Sequence, residues 1–169
     1  MGEVPLHPAI VHIPLGLSLV LPLVAFGVTV ALWRAWISPR AFWMVVVLQA
    51  VVFGAGFVAL ETGEKEGERI ERVAGKARVH EHEEAAERFM VAAGVSLAVG
   101  IAGLFLMKRE KALRWAAAGA TAGTVAAAAL ALSAGKAGGE LVYLHGAAAV
   151  YAQPVGPTIG DASRKDDDD

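Results

Sequence analysis

Cysteine is absent from the 169 residues. That excludes disulfides, thiolate metal sites, cysteine nucleophiles and iron–sulfur clusters together. Charge is scarce as well: Asp, Glu, Lys and Arg make up 19% of the chain against 56% hydrophobic residues, and the mean hydropathy is +0.51. A soluble globule of this length is not built from such a mixture. The formal net charge of −2 offers nothing to a nucleic acid. No serine stands beside a histidine, and there is no Gly-rich phosphate loop, so a serine triad and a nucleotide-binding loop are both excluded. The long apolar runs contain no carboxylates, which argues against a proton or ion transporter. The segment before the first run, residues 1–8, has no Lys or Arg and contains Glu3. That run is therefore expected to persist as a helix rather than be removed as a signal.

What is present is four uncharged stretches, 13–33, 41–60, 89–107 and 115–135. Each is close to the ~20 residues that cross about 30 Å of hydrocarbon at 1.5 Å per residue. Lipid supplies no hydrogen-bond partners, so each backbone must satisfy itself as a helix. The expected fold is all-α: a four-helix transmembrane bundle, antiparallel and up-down-up-down, forming one domain over 1–160 with a disordered acidic tail over 161–169. Pro14 falls in a first turn, where it is tolerated, and Pro22 is expected to kink the first helix. Gly119-x-x-x-Gly123 allows close helix contact, read here as packing within the bundle.

The connections differ in kind. Segments 34–40 and 108–114 are short and hold Arg34, Arg40, Lys108, Arg109, Lys111 and Arg114, a basic cluster that favours the cytoplasmic side of a bacterial inner membrane. Both termini are then expected outside. Segment 61–88 interleaves Glu64, Glu68 and Glu71 with Arg69, Arg72 and Lys76, as a solvated helical extension would. The apolar stretch 141–151 is too short to cross and reads as an interfacial or capping segment.

Threading the histidines through this topology places all five on one membrane face. His7 and His12 open span one, His80 and His82 precede span three, and His145 follows span four. Imidazole is a usual ligand of haem iron, copper and zinc, and the neutral ring tolerates partial desolvation. Two histidines on facing helices would hold a haem; three, with Glu61 or Glu140, would hold a small ion. His12 lies among Ile10, Val11, Ile13 and Pro14, and an ionisable group at that depth is a functional candidate. His80 and His82 are two residues apart, about 200° around a helix, so at most one faces inward. Gly16, about one turn beyond His12, would leave room for a flat macrocycle. Gln49, in mid-span, is read as a bridge between helices.

Four segments carry a resemblance. Leu6-His7-Pro8-Ala9-Ile10-Val11-His12-Ile13-Pro14-Leu15-Gly16 opens the chain. Thr62-Gly63-Glu64, His82-Glu83-Glu84 and Gly139-Glu140-Leu141-Val142-Tyr143-x-His145-Gly146 follow in order. Together they resemble the bacterial membrane-protein family known as domain of unknown function twenty-two thirty-one, over roughly residues 5 to 150. The resemblance implies a four-helix membrane domain whose signature histidines are His7, His12, His82 and His145, and it favours His82 over His80 as the inward ring. Its general look is similar to small b-type cytochrome membrane domains.

The functional expectation is a membrane-embedded electron-transfer subunit rather than an independent enzyme. Haem b would be bound at the outer face by His7, His12, His82 and His145, with His12 and His82 as the expected axial pair. The alternatives are a copper or zinc site formed by His12, His82, His145 and Glu140, or a cofactor-free accessory subunit of a larger respiratory or photosynthetic complex. In each case the bilayer is the surrounding partner, with a redox partner or further subunits beside it.

Overall fold

The computed structural model describes residues 6–151, and all regular structure in that range is helical. The expected acidic tail lies outside the described residues. A short turn, α1 (His7–Ile10), leads into α2 (His12–Trp33). Then follow α3 (Phe42–Ala74), α4 (Lys76–Phe105) and α5 (Glu110–Tyr143). Four helices, counting α1 with α2, are long and apolar enough to cross a membrane. Only about a third of each apolar window is buried within the protein, and the remaining apolar surface is what lipid would cover. α2 runs unbroken through Pro22.

Neighbouring helices run antiparallel. On α3 and α4, Phe42 meets Gly103, Gln49 meets Gly100 and Ser96, and Gly56 meets Met90. On α2 and α5, Trp33 meets Trp115, Thr29 bonds Thr121, and Leu15 meets Gly135. Ascending numbers on one helix meet descending numbers on the next, which closes a ring of four. The core is in two layers: Ala25, Leu32, Phe42, Leu113 and Ala117 near the short loops, then Leu21, Val52, Phe89, Ala93 and Ala127 beyond them.

At about 1.5 Å per residue, α3 at 33 residues and α5 at 34 are longer than a bilayer needs. The surplus lies at one end. Segment 61–88 is the helical extension its charges predict. It continues α3, reverses at Gly75 and begins α4. Gly75 is the single residue between those two helices, at φ 89°, a region open to glycine and strained for other residues. The segment after α5 caps this end, as expected. Its 3-10 turn Ala147–Tyr151 packs Ala147 with Val79 and Leu141, and the Tyr151 hydroxyl donates to Glu66 at 2.6 Å. At the opposite end Trp33, Trp36, Trp43 and Trp115 are all exposed, a belt suited to a membrane–water interface.

Desolvation, and then the Glu66 carboxylate, push the Tyr151 phenol up to about 12. A phenol raised above its ordinary value of 10.0 stabilises the folded cap fully below pH 10. That contribution is lost as pH rises from 10 through 12. In a phenolate titration at 295 nm, Tyr151→Phe is expected to remove the later-ionising of the chain's two tyrosines. A wild-type profile that ionises in a single step at pH 10 would contradict the clip.

The bundle is also internally repeated. Six of the eight buried positions of α3, Phe42, Val45, Gln49, Val52, Gly56 and Ala59, recur 75 places on in α5 as Ala117, Ala120, Thr124, Ala127, Ala131 and Ala134 (117 less 42, 134 less 59). By the same shift Pro14, Ser18, Leu21, Ala25 and Val28 of α2 become Phe89, Ala93, Ser96, Gly100 and Gly103 of α4, all buried. The fold is two copies of one helical hairpin, side by side. Few identities survive between the copies; what persists is the phase of burial.

Candidate functional site

The repeat brings two imidazoles together. His7 lies seven residues, or about two turns, before Pro14, on the buried face that continues through Ser18 and Leu21. His82 stands in the same relation to Phe89, Ala93 and Ser96. Their ring centroids are 6.2 Å apart, edge to face at 80°. Each ring is anchored by the long helix of its own hairpin. His7 Nδ1 lies 2.8 Å from the Ala59 carbonyl oxygen, and His82 Nδ1 lies 3.1 Å from that of Ala134. A carbonyl only accepts, so Nδ1 carries the hydrogen in both rings. In the neutral tautomer the lone pair is then left on Nε2.

One helical turn beyond each anchoring carbonyl stands a glycine. A Cβ on Gly63 would lie 3.0 Å from the His7 ring, and one on Gly138 would lie 3.1 Å from the His82 ring. The glycines are what allow each ring to approach its helix so closely. The Thr62 hydroxyl also bonds the Ala59 carbonyl, at 2.9 Å. The arrangement occurs twice: histidine, carbonyl and glycine at 7, 59 and 63, and again at 82, 134 and 138.

The other expected site residues are elsewhere. His12 is five residues from His7, about 140° around a helix, so both cannot face the core. It is exposed, with Nδ1 bonded at 2.6 Å to the Pro8 carbonyl one turn back. The expected pairing of His12 with His82 is thus replaced by His7 with His82. His145 is half-buried in a crevice with Arg78, Glu81 and Glu140, and Glu140 pairs with Lys136 at 3.7 Å. His80 is solvated beside Glu83 and Glu84, as its spacing from His82 requires. Glu61 is exposed. Gly16 is exposed too, with open space around its Cβ direction; the glycines behind the rings are Gly63 and Gly138. Among the described residues no three His, Asp or Glu side chains are grouped to hold a metal ion. The set His12, His82, His145 and Glu140 is therefore not assembled.

Reading the residues one at a time missed Ala59, Gly63, Ala134 and Gly138. Their signal was the shared spacing: 52 residues separate each histidine from its carbonyl.

The fold and this pair define a four-helix membrane protein with two carbonyl-anchored imidazoles at one end of the bundle. The chain belongs to the family described as predicted membrane protein (DUF2231), whose model matches residues 3–150. No curated protein and no solved structure matches it significantly.

Proposed function

We propose that the protein is a haem-binding electron-transfer subunit in which His7 and His82 would hold the iron of one b-type haem. The observation that carries this reading is the Nδ1 anchoring of both rings. Ligating histidines characteristically donate their second N–H to a carbonyl or carboxylate, which fixes the tautomer and aims Nε2. Spacing supports it as well. Two metal–imidazole bonds of about 2 Å, with about 1 Å more from each nitrogen to its ring centre, need about 6 Å between centroids. The rings stand at 6.2 Å. Haem supplies one-electron chemistry. His7 and His82 would hold its iron, with the Ala59 and Ala134 carbonyls fixing their tautomers.

The basic short loops support placing their end of the bundle in the cytoplasm of a bacterial inner membrane. The imidazole pair then lies towards the outside, where a redox partner or neighbouring subunits would meet it. A tag after Asp169 should be cleaved by protease added to intact spheroplasts. Protection there, with cleavage in inverted vesicles, would reverse the orientation.

An absorption spectrum of protein purified in mild detergent from haem-replete cells tests the main reading. The expected result is a Soret band that shifts on dithionite reduction. The ring spacing, without a third ligand, also suits a two-coordinate copper(I) ion. A colourless protein carrying about one copper ion per chain selects that reading. A colourless and metal-free protein leaves an accessory subunit.

A further inference from the structure

Halfway along the bundle, the four helices surround a second polar centre that is separate from the imidazole pair. Ser18 of α2, Gln49 of α3, Ser96 of α4 and Thr124 of α5 are each 2–3% exposed. They line a cavity of about 10 Å³ between apolar side chains of the same helices. Part of the centre is internally bonded. Gln49 Nε2 donates to Ser96 Oγ at 2.7 Å, Ser96 Oγ donates to the Ala120 carbonyl at 3.0 Å, and Thr124 Oγ1 donates to the Thr121 carbonyl at 2.7 Å. These bonds join α3, α4 and α5. Two buried atoms, Ser18 Oγ and Gln49 Oε1, have no hydrogen-bond partner among the described residues.

Leaving both unmet in an apolar core would cost far more than filling the space between them. We infer that this cavity is a binding site for one resident water molecule. The volume is about that of a single water, and buried waters commonly make about three hydrogen bonds. Three are on offer. Ser18 Oγ–H donates, Gln49 Oε1 accepts, and Thr124 Oγ1 keeps a lone pair once its hydrogen is given to Thr121. The consequence reaches beyond solvation. Ser18 is the centre's only polar member on α2, so the water adds a direct link from α2 to Gln49 and Thr124, beside the Thr29–Thr121 bond that already joins α2 to α5. α2 follows directly on α1, which carries His7, and the water helps to hold the axial position of α2 about three turns below the imidazole pair. The inference is independent of what the two imidazoles hold.

Thermal unfolding of the full chain in detergent separates a wet site from a dry one by sign. If the water is present, Ser18→Ala removes one of its partners and lowers the Tm by about 2–4 °C. If the cavity is dry, the same substitution removes an unpaired hydroxyl, so the Tm stays level or rises, and the inference fails. Repeating the measurement with sodium replaced by choline checks the occupant. An unchanged Tm supports water, whereas a Tm that tracks sodium identifies a cation and overturns it. A structure in lipid at a resolution that resolves waters should show one peak within hydrogen-bond distance of Ser18 Oγ and Gln49 Oε1. An empty cavity in that map overturns it equally.

Discussion

Substituting either His7 or His82 with alanine is expected to abolish the reducible Soret band, while His12→Ala leaves it in place. The asymmetry follows from where the rings are. His7 and His82 face each other with Nδ1 tied back to Ala59 and Ala134. His12 is exposed, and its Nδ1 is bonded to a carbonyl of its own turn. The glycines provide a subtler form of the same experiment, because they are not ligands. A side chain at Gly138 would sit about 3 Å from the His82 ring and push it off its carbonyl. Gly138→Val is therefore expected to keep both histidines yet weaken haem retention about 10- to 100-fold, the usual range for losing a ligand's supporting partner. Gly63→Val should do the same through His7, since the two glycines occupy equivalent places in the repeat. Haem content per chain and the reduced-minus-oxidised spectrum read all five variants. Loss of haem in His12→Ala alone, with His7→Ala unchanged, would transfer the site to a ring that the fold places outside.

Gly123→Val is expected to destabilise the bundle by about 1–3 kcal/mol, the range for overpacking a tight core. A Cβ at Gly123 would come within 2.7 Å of Ser96 Oγ, 2.8 Å of its Cβ and 3.1 Å of its Cα. Part of that obstacle is backbone, so no flexible side chain can swing aside. α4 and α5 would have to separate where Ser96 bonds the Ala120 carbonyl and Gln49. The other glycine of the same motif is the control. A Cβ at Gly119 meets only Val99 at 3.4 Å, an ordinary contact, so Gly119→Ala should change stability little. Thermal unfolding in one detergent decides the comparison. Equal effects at the two positions would mean that the close approach at Ser96 does not govern the pairing of these helices. A change of oligomeric state without a change of Tm would move the motif from the inside of the bundle to its outside.

Both glycines illustrate what could be read from residues alone. That Gly119 and Gly123 permit close packing is local chemistry; Gly123 uses it against Ser96, whereas Gly119 is exposed and makes only an ordinary contact. Gln49 was legible in the same way, because a lone amide in a long apolar run needs a partner on another helix, and Ser96 supplies it. Helical phase required that at most one of His80 and His82 face inward, and the resemblance to the family favoured His82. His7 over His12 also had a phase signal, the seven-residue step to Pro14. That signal counts only once Pro14, Ser18 and Leu21 are known to face inward, and in an apolar helix every face is nearly alike. A soluble helix marks its buried side with a change of polarity, whereas a lipid-facing helix does not. The repeat was hidden for a related reason: small and large apolar residues exchange freely between the two hairpins as long as the burial phase is kept.

The linear chain determined that four helices cross a bilayer and that all the histidines lie at one end. Both follow from the cost of exposing backbone and charge to hydrocarbon, which each segment meets on its own. Which imidazoles face one another, which carbonyls hold them and which glycines make room were decided only by the tertiary structure. Those are contacts between residues 52 to 75 positions apart, set by the rotation of each helix about its own axis. An apolar sequence in an apolar solvent leaves that rotation to packing.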